Sequence, residues 1–248
     1  MEKDKRNKIL KKIASISILI LIIILLALIS NVTDKNFEYI VDESKLQIIY
    51  FDVGQADCTL IMNNGKTTLI DGGNDSDGDN LVKYIKSQEI SRIDTVIATH
   101  LHADHIGGLD DIIDNFDIGT VYMPDTINTD KQVEELLDAM EIKDLSYEVP
   151  EIGEKFNNGL ANCEIMAINN ETKNLNNSSI VIQMNYLEQS YLFMGDSEKE
   201  IENSRDWNEV NVLKVGHHGS NTSSTERFLN QIRPQIAIIS VGLNNKYH

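Results

Sequence analysis

The sequence predicts an α/β domain of four layers (helix, sheet, sheet, helix) that follows an amino-terminal transmembrane helix. Three observations lead to this prediction. Stretches with strand-like and helix-like patterns mix through both halves of the chain after residue 46, and two sheets packed face to face with helices outside bury their apolar faces. Several of these strands end in loops that contain histidine or aspartate. An apolar run near the amino terminus is long enough to cross a bilayer.

The amino-terminal segment differs in composition from the rest of the chain. Residues 1–12 carry six basic and two acidic side chains, and residues 13–32 form an apolar run dominated by Ile and Leu. A run of ~20 apolar residues spans a bilayer core, and a basic flank stays on the cytoplasmic side. We therefore expect a single-pass membrane protein with a cytoplasmic flank at 1–12, an anchor at 13–32, a linker at 33–45 and an extracytoplasmic domain at 46–248.

A cleavable signal peptide is the alternative interpretation of this segment, because it too begins with basic residues. The apolar core of a signal peptide usually has ~7–15 residues, fewer than the run found here. In addition, Leu28, Ile29 and Ser30 are a poor match to the small-x-small pattern of a signal-peptide cleavage site. We therefore favour an uncleaved anchor in the cell membrane.

The composition limits the partners and the chemistry of the domain. The net charge of the chain is −17, and residues 13–248 contain 16 basic side chains against 37 acidic ones. Such a domain repels polyanions unless a metal ion or a local basic patch intervenes. Cys58 and Cys163 lie in separate predicted strands without a metal-ligand spacing. We expect them to be buried free thiols, with one structural disulfide as the alternative.

The first half of the domain combines a meander with alternating strands and helices. Strands are predicted at 46–53, 57–62, 66–70, 94–99, 119–123 and 146–149, and helices at 81–89, 106–114 and 129–143. Gly65 supplies the positive φ of the hairpin turn between the second and third strands. The acidic loop at 74–79 lacks the glycine and glutamate positions of an EF-hand, so we interpret it as a solvated loop.

The second half repeats this style, and two of its strands end in candidate ligands. Strands are predicted at 163–168, 179–186, 190–194, 210–215 and 235–241, and helices at 198–204 and 225–232. Asp196 follows the third of these strands, and His217 and His218 follow the fourth. Carboxylate oxygen and imidazole nitrogen are both common ligands of divalent metals.

The densest group of candidate ligands follows the predicted strand at 94–99. His100, His102, Asp104 and His105 lie within six residues, where the buried strand gives way to a loop. Alternation directs His100 and His102 to the same side, whereas Asp104 and His105 reach the other side of the turn. One loop can therefore hold two metal ions a few ångströms apart, an arrangement that serves hydrolysis. Zn²⁺, Mn²⁺ and Fe all accept such ligands.

Several motifs of the chain resemble the carboxyl-terminal metallo-β-lactamase domain of the ComEC-type competence proteins. They occur in the family's order and together cover nearly all of residues 46–248. These motifs lie at 51–57, 71–73, 99–109, 177–181, 194–196, 213–220 and 240–248. The resemblance implies the four-layer metallo-β-lactamase fold. The chain resembles the stand-alone membrane-anchored relatives, because it has one predicted membrane segment and no channel domain.

The resemblance also implies a role for each candidate residue. The implied metal ligands are His100 and His102 for one ion, Asp104, His105 and His217 for the other, and Asp196 as the bridge between them. Asp71 would orient a ligand, although a simple turn residue is the alternative. His218 would face the substrate or donate to a neighbouring carboxylate, and an exchange of roles with His217 stays open. His248 falls where the family has a histidine near the active site.

The implied activity is metal-dependent hydrolysis, most specifically of phosphodiester bonds. Two divalent metal ions, Zn or Mn, would activate a water molecule, with Asp104, His218 and Asp71 as the catalytic groups. The region at 174–178 lacks the further histidine that many superfamily members supply, so the first site is expected to be oxygen-rich and weaker. A phosphodiester-containing DNA or wall polymer is the expected substrate, with weak affinity for long duplex DNA. The alternative is a catalytically weak, metal-bound binding module of a surface or DNA-uptake complex.

Overall fold

The computed structural model describes residues 45–243 and 245. The predicted flank at 1–12, the anchor at 13–32 and the linker at 33–45, except for its last residue, lie outside these residues, as does His248. Among the helices of the described part of the chain, none is long and apolar enough to cross a membrane. The transmembrane helix therefore stays a prediction.

The first sheet contains six strands in sequence order. They are β1 (Gln47–Tyr50), β2 (Thr59–Asn63), β3 (Lys66–Ile70), β4 (Arg92–Ile97), β5 (Asp117–Tyr122) and β6 (Tyr147–Glu148). The first three form an antiparallel meander, and β3 to β6 run parallel. Because β3 and β4 are parallel neighbours, their carboxyl ends bring Asp71 and the loop after Ile97 to the same edge.

The second sheet repeats this plan with six strands, again in sequence order. They are β7 (Lys155–Asn158), β8 (Ala161–Ala167), β9 (Val181–Tyr186), β10 (Gln189–Phe193), β11 (Val212–Lys214) and β12 (Ile236–Ile238). The pairs from β7 to β10 are antiparallel, and β10 to β12 are parallel. The parallel strands again carry their candidate ligands at the carboxyl ends, at Asp196 and at residues 216–219.

Three apolar clusters define four layers, which confirms the predicted α/β architecture. One cluster joins the outer face of the first sheet to the helices α1 (Gly78–Ser87), α2 (Ala103–Ile106), α3 (Leu109–Asn115) and α4 (Lys131–Ile142). A second joins the second sheet to α5 (Lys199–Asn203) and α6 (Glu226–Ile232). The third lies between the sheets and includes Ile97 and Phe193, whose burial contributes about 1.5–3 kcal/mol each.

The helix predicted at 106–114 is two helices, α2 and α3, separated by Gly107 and Gly108. A Cβ on Gly107 would lie 2.3 Å from the backbone nitrogen of Asp75, and one on Gly108 would lie 2.6 Å from the carbonyl oxygen of Gly72. The two glycines therefore let the loop after β4 pack directly against the loop after β3. Backbone hydrogen bonds join the same loops, with the Gly72 N–H 2.6 Å from the His105 carbonyl oxygen.

One strand was not predicted from the sequence. β7 pairs in antiparallel fashion with β8 at the edge of the second sheet. Its sequence, Lys-Phe-Asn-Asn, has a single apolar residue and therefore no alternation to detect. Both cysteines are free and buried in the structure, as predicted, and burial raises the pKa of the Cys163 thiol to about 12.

Candidate metal centre

The loop after β4 supplies the first set of ligand atoms. His100 and His105 are fully buried, and His102 lies at the amino-terminal end of α2 and is half-buried. His100 Nε2 lies 2.9 Å from His102 Nδ1. Asp104 and His105 lie within α2 itself. The apolar strand β4 ends in the core and delivers these polar side chains to the edge of the sheet.

Asp71 holds this loop from the end of β3. Its Oδ1 accepts a hydrogen bond of 2.8 Å from the Thr99 N–H, and its Oδ2 accepts one of 2.9 Å from the Thr99 hydroxyl. The same Oδ2 lies 2.8 Å from His105 Nδ1. Because Nδ1 is engaged there, His105 presents Nε2 to the centre of the cluster, which is how carboxylates orient metal-ligating histidines.

Asp196 occupies the middle of the cluster. It follows β10, and its backbone N–H donates a 3.0 Å hydrogen bond to the Ser179 hydroxyl. Its Oδ1 lies 3.2 Å from His105 Nε2, and its Oδ2 lies 3.8 Å from His100 Nε2 and 3.6 Å from His218 Nε2. The carboxylate thus faces histidines from both halves of the domain.

The turn after β11 directs its two histidines differently. His218 is buried, its Nδ1 lies 3.0 Å from the Ser240 carbonyl oxygen, and its Nε2 lies 3.3 Å from Asp104 Oδ2. The side chain of His217 is 28% exposed, with Nδ1 2.8 Å from the Thr222 hydroxyl and Nε2 4.0 Å from Asp196 Oδ2. His218 therefore points into the cluster and His217 lies at its rim.

Backbone strain accompanies this turn. His217 and His218 have φ values of 48° and 52°, in the left-handed region. A residue other than glycine in that region costs about 1–3 kcal/mol and persists where surrounding structure holds it, often at functional sites. Here the strained turn directs the buried ring of His218 into the cluster and leaves the ring of His217 at its rim.

The electrostatics of the cluster follow from burial and from neighbouring charges. Burial and the nearby His105 hold the pKa of His100 well below its usual range, so its ring is neutral and able to bind a cation. Burial opposes the charge of Asp104, but the close His218 ring and the charge of His105 lower its pKa to about 2. Against the same burial, the rings around Asp196 keep its pKa well below the usual value.

The donor atoms fit a divalent cation. Among the described residues, His105 Nε2, Asp196 Oδ1 and His218 Nε2 are buried and find no hydrogen-bond partner, a costly state unless something binds them. Ligand atoms of His100, His105 and Asp196 lie within 4.8 Å of one another, and so do those of Asp104, His105 and His218. These two overlapping groups draw on both sheets. His102 and His217 belong to neither group.

In the region at 174–178, where the further histidine is absent, two asparagine side chains form hydrogen bonds with glutamates. Asn176 Nδ2 lies 3.2 Å from Glu198 Oε1, and Asn177 Nδ2 lies 3.0 Å from Glu200 Oε2. These amides build the wall beside His217. In contrast, the next residue, Ser179, contacts Asp196 directly.

Two buried residues of the centre were not predicted as a pair from the sequence. Asp57 and Lys214 form an ion pair of 2.7 Å beside the ligands. The sequence contained a signal for the pair, because Lys214 is the single charged residue in an otherwise apolar strand and a charge on a buried strand needs a partner.

The fold and the site define an α/β sandwich with a candidate metal centre at the carboxyl ends of its parallel strands. The profile of the metallo-beta-lactamase superfamily matches residues 51–242. The chain belongs to this superfamily, which confirms the resemblance of its sequence motifs.

The matched curated relatives include competence and recombination proteins. ComE operon protein 3 of Bacillus subtilis is 31% identical over 175 residues, which cover 68% of this chain and 22% of the relative. Recombination protein 2 of Haemophilus influenzae is 31% identical over 209 residues, which cover 81% of this chain and 25% of the relative. Competence protein ComA of Neisseria gonorrhoeae is 25% identical, covering 84% and 28%. The chain spans about a quarter of the length of these relatives.

Solved structures share the fold at low identity. CmlA, a diiron beta-hydroxylase from Streptomyces venezuelae, superposes with a TM-score of 0.51 at 18% identity, covering 79% of this chain and 45% of that one. Igni18, a metallo hydrolase from Ignicoccus hospitalis, gives 0.50 at 16% identity, covering 77% and 80%. At such identities the likeness concerns the fold alone.

The affinity of the centre for a divalent cation is expected to rise with pH. Burial opposes the charge of His218, yet Asp104 and Asp196 raise its pKa above the usual value. Below that pKa the ring holds a proton that a metal must displace, so each such proton lowers the affinity about tenfold per pH unit of acidification. Competition titrations with Zn²⁺ from about pH 6 to about pH 8 measure this slope. A pH-independent affinity would contradict the proposed involvement of His218.

Proposed function

We propose that the chain is a metal-dependent hydrolase that cleaves phosphodiester bonds, with two divalent cations, Zn²⁺ or Mn²⁺, at the candidate centre. The observation that carries the proposal is the convergence of three buried atoms, His105 Nε2, Asp196 Oδ1 and His218 Nε2. None of them makes a hydrogen bond within the described part of the chain. Two cations held there would neutralise phosphate charge and lower the pKa of bound water. Side chains from loops of both sheets would hold these cations and fix the positions of the ligand atoms.

The distances favour the exchange of one histidine in the expected ligand set. We propose His218 instead of His217 for the group with Asp104 and His105, because its buried Nε2 lies 3.3 Å from Asp104 Oδ2. His217, at the rim beside Glu198, is then the group that faces a substrate. Its ring lies where it can donate a hydrogen bond to a phosphate oxygen near Asp196.

The other ligands stay as proposed from the sequence. His100 and His102 form the side of the centre that lacks a further histidine, with Asp196 between the two halves. Asp71 positions His105 through the 2.8 Å contact at Nδ1. A site with few nitrogen ligands suits Mn²⁺ better than a histidine-rich one does.

The charges around the centre favour a small or single-stranded substrate over long duplex DNA. Duplex DNA carries one charge per ~1.7 Å and is normally bound by several free basic side chains. Lys214 is buried against Asp57, Arg227 pairs with Asp206 at 3.2 Å, and Arg233 pairs with Glu209 at 2.9 Å. Five basic side chains near the motifs could contact phosphate, and these three already have acidic partners. The other two are Lys173 and Lys246.

The experiment that tests this substrate class is a direct competition. A small chromogenic phosphodiester and plasmid DNA are offered together with Mn²⁺ at physiological salt. We expect turnover of the small substrate, and plasmid cleavage that is weak and falls further as salt rises. Preferential, salt-tolerant cleavage of the plasmid would contradict the charge argument and restore the DNA-processing role that the names of the competence relatives suggest.

We also propose that residues 13–32 anchor the chain in the cell membrane, with the domain on the extracytoplasmic side. Support comes from the basic flank before an uninterrupted apolar run. External protease applied to intact cells is then expected to remove the domain. A domain that is protected until the cells are lysed would reverse the orientation.

A further inference from the structure

A buried ion pair joins the two halves of the domain next to the candidate centre. Lys214 is the last residue of β11 in the second sheet, and Asp57 lies between β1 and β2 of the first. Lys214 Nζ lies 2.7 Å from Asp57 Oδ2, and the two side chains are only 4% and 6% exposed. Charged side chains are almost never buried unless they are paired, so the two residues hold each other in place.

Asp57 is tied to both ligand-bearing loops of the first half. Its backbone N–H donates a 3.1 Å hydrogen bond to the Asp104 carbonyl oxygen, and its own carbonyl oxygen accepts one of 2.8 Å from the Gly73 N–H. Lys214 Nζ also lies 3.3 Å from the Val215 carbonyl oxygen, just before the turn that carries His217 and His218. The ion pair therefore connects the metal-binding loop to the histidine turn.

The second oxygen of Asp57, Oδ1, is not the one that Lys214 engages. It is buried, and within the described part of the chain it has no hydrogen-bond partner. A ligand atom of Asp57 lies within 4.8 Å of those of Asp196 and His218, and likewise of those of Asp71 and His105. Asp57 thus offers a further carboxylate to the centre, while Lys214 neutralises it from the other side.

We propose that Asp57 and Lys214 form a charge-balanced pair at the edge of the centre, in which Lys214 neutralises Asp57 and keeps it from acting as a metal ligand. The proposal rests on the metal centre of the proposed function but not on hydrolysis. Neutrality is the essential property of the pair. Without Asp57 the Lys214 ammonium would repel a cation, and without Lys214 the Asp57 carboxylate would attract one.

The test measures the affinity of the purified protein for Mn²⁺ or Zn²⁺ and its urea unfolding midpoint in three variants. Asp57→Asn leaves the ammonium uncompensated, so the metal affinity is expected to fall about 10–100-fold. Lys214→Met is expected to bind metal at least as tightly as the wild type, although its midpoint falls. The double variant is neutral again and is expected to regain most of the affinity that Asp57→Asn loses.

Matched controls come from an exposed ion pair of the same fold. Arg233 and Glu209 are 2.9 Å apart with side chains 71% and 68% exposed, so Arg233→Met and Glu209→Gln are expected to change neither quantity. Opposite effects of the two buried substitutions on metal affinity distinguish charge balance from simple loss of packing, which would weaken both variants alike.

Several outcomes would overturn the proposal. An equal loss of affinity in both single variants would do so, as would an unchanged Asp57→Asn protein. If Lys214→Met does not fold, a double variant that binds metal as weakly as Asp57→Asn would equally overturn it. A wild-type protein that binds no divalent metal would instead contradict the proposed function, whereas failure of the variants alone would contradict only the pair.

Discussion

The Asp196→Ala variant is expected to lose metal binding and, with it, hydrolysis by about 10³-fold or more. Asp196 is 2% exposed, and its two oxygens face His105 and His218 at 3.2 and 3.6 Å. A metal ion contributes several kcal/mol to transition-state charge stabilisation, and about 4 kcal/mol corresponds to a factor of about 10³. Metal content and turnover of a small phosphodiester measure the two effects.

The Asp196 variant is expected to stay folded, because the residue lies in a loop at the end of β10 rather than in a core cluster. The substitution also removes a buried carboxylate whose Oδ1 makes no hydrogen bond within the described residues. Asp206→Ala serves as the control, since the Asp206 side chain is 90% exposed. An Asp196→Ala protein with wild-type metal content would exclude Asp196 as the central ligand.

His218→Ala is expected to lower metal affinity by about 10²-fold or more, whereas His217→Ala is expected to retain metal and to lose turnover. His218 Nε2 is buried, unpartnered and 3.3 Å from Asp104 Oδ2. His217 is engaged with Thr222 and Glu198 at the rim. Because substitutions of groups that only support the ligands already cost about 10–100-fold in affinity, loss of a ligand costs at least as much.

Each of these two variants is the control for the other, because the two histidines are neighbours in the same turn. Metal affinity is measured by competition titration and turnover with metal at saturation. Loss of metal in His217→Ala, with His218→Ala unaffected, would return the ligand role to His217. Equal losses of metal in both variants would indicate that the turn as a whole, and not one ring, supports binding.

The sequence was sufficient to predict which candidate ligands after regular strands would lie close together. His100, Asp104 and His105 lie within one short loop after an apolar strand, and Asp196 comes directly after another. The carboxyl ends of parallel strands meet at one edge, so strand assignment alone brought these residues together. The layered fold followed for the same reason, from apolar strands and amphipathic helices whose periods are readable.

Features that depend on backbone conformation or on long-range pairing were beyond the sequence. The left-handed φ values of His217 and His218 belong to a turn that buries His218 and leaves His217 at the rim, and no residue type in the turn indicates them. Asp57 and Lys214 are 157 residues apart, so the sequence around one residue does not identify the other as its partner. The polar strand β7 carries no alternating pattern because it lies at a sheet edge.

The most direct test of metal-dependent hydrolysis is a metal titration of the protein after removal of bound metal with a chelator. Bound Mn²⁺ or Zn²⁺ and the hydrolysis of a chromogenic phosphodiester are measured in the same samples. We expect no turnover without metal and turnover that rises in proportion to occupancy, up to about two ions per chain. Full turnover in the metal-free protein, or saturation with metal and no turnover, would contradict the proposed function.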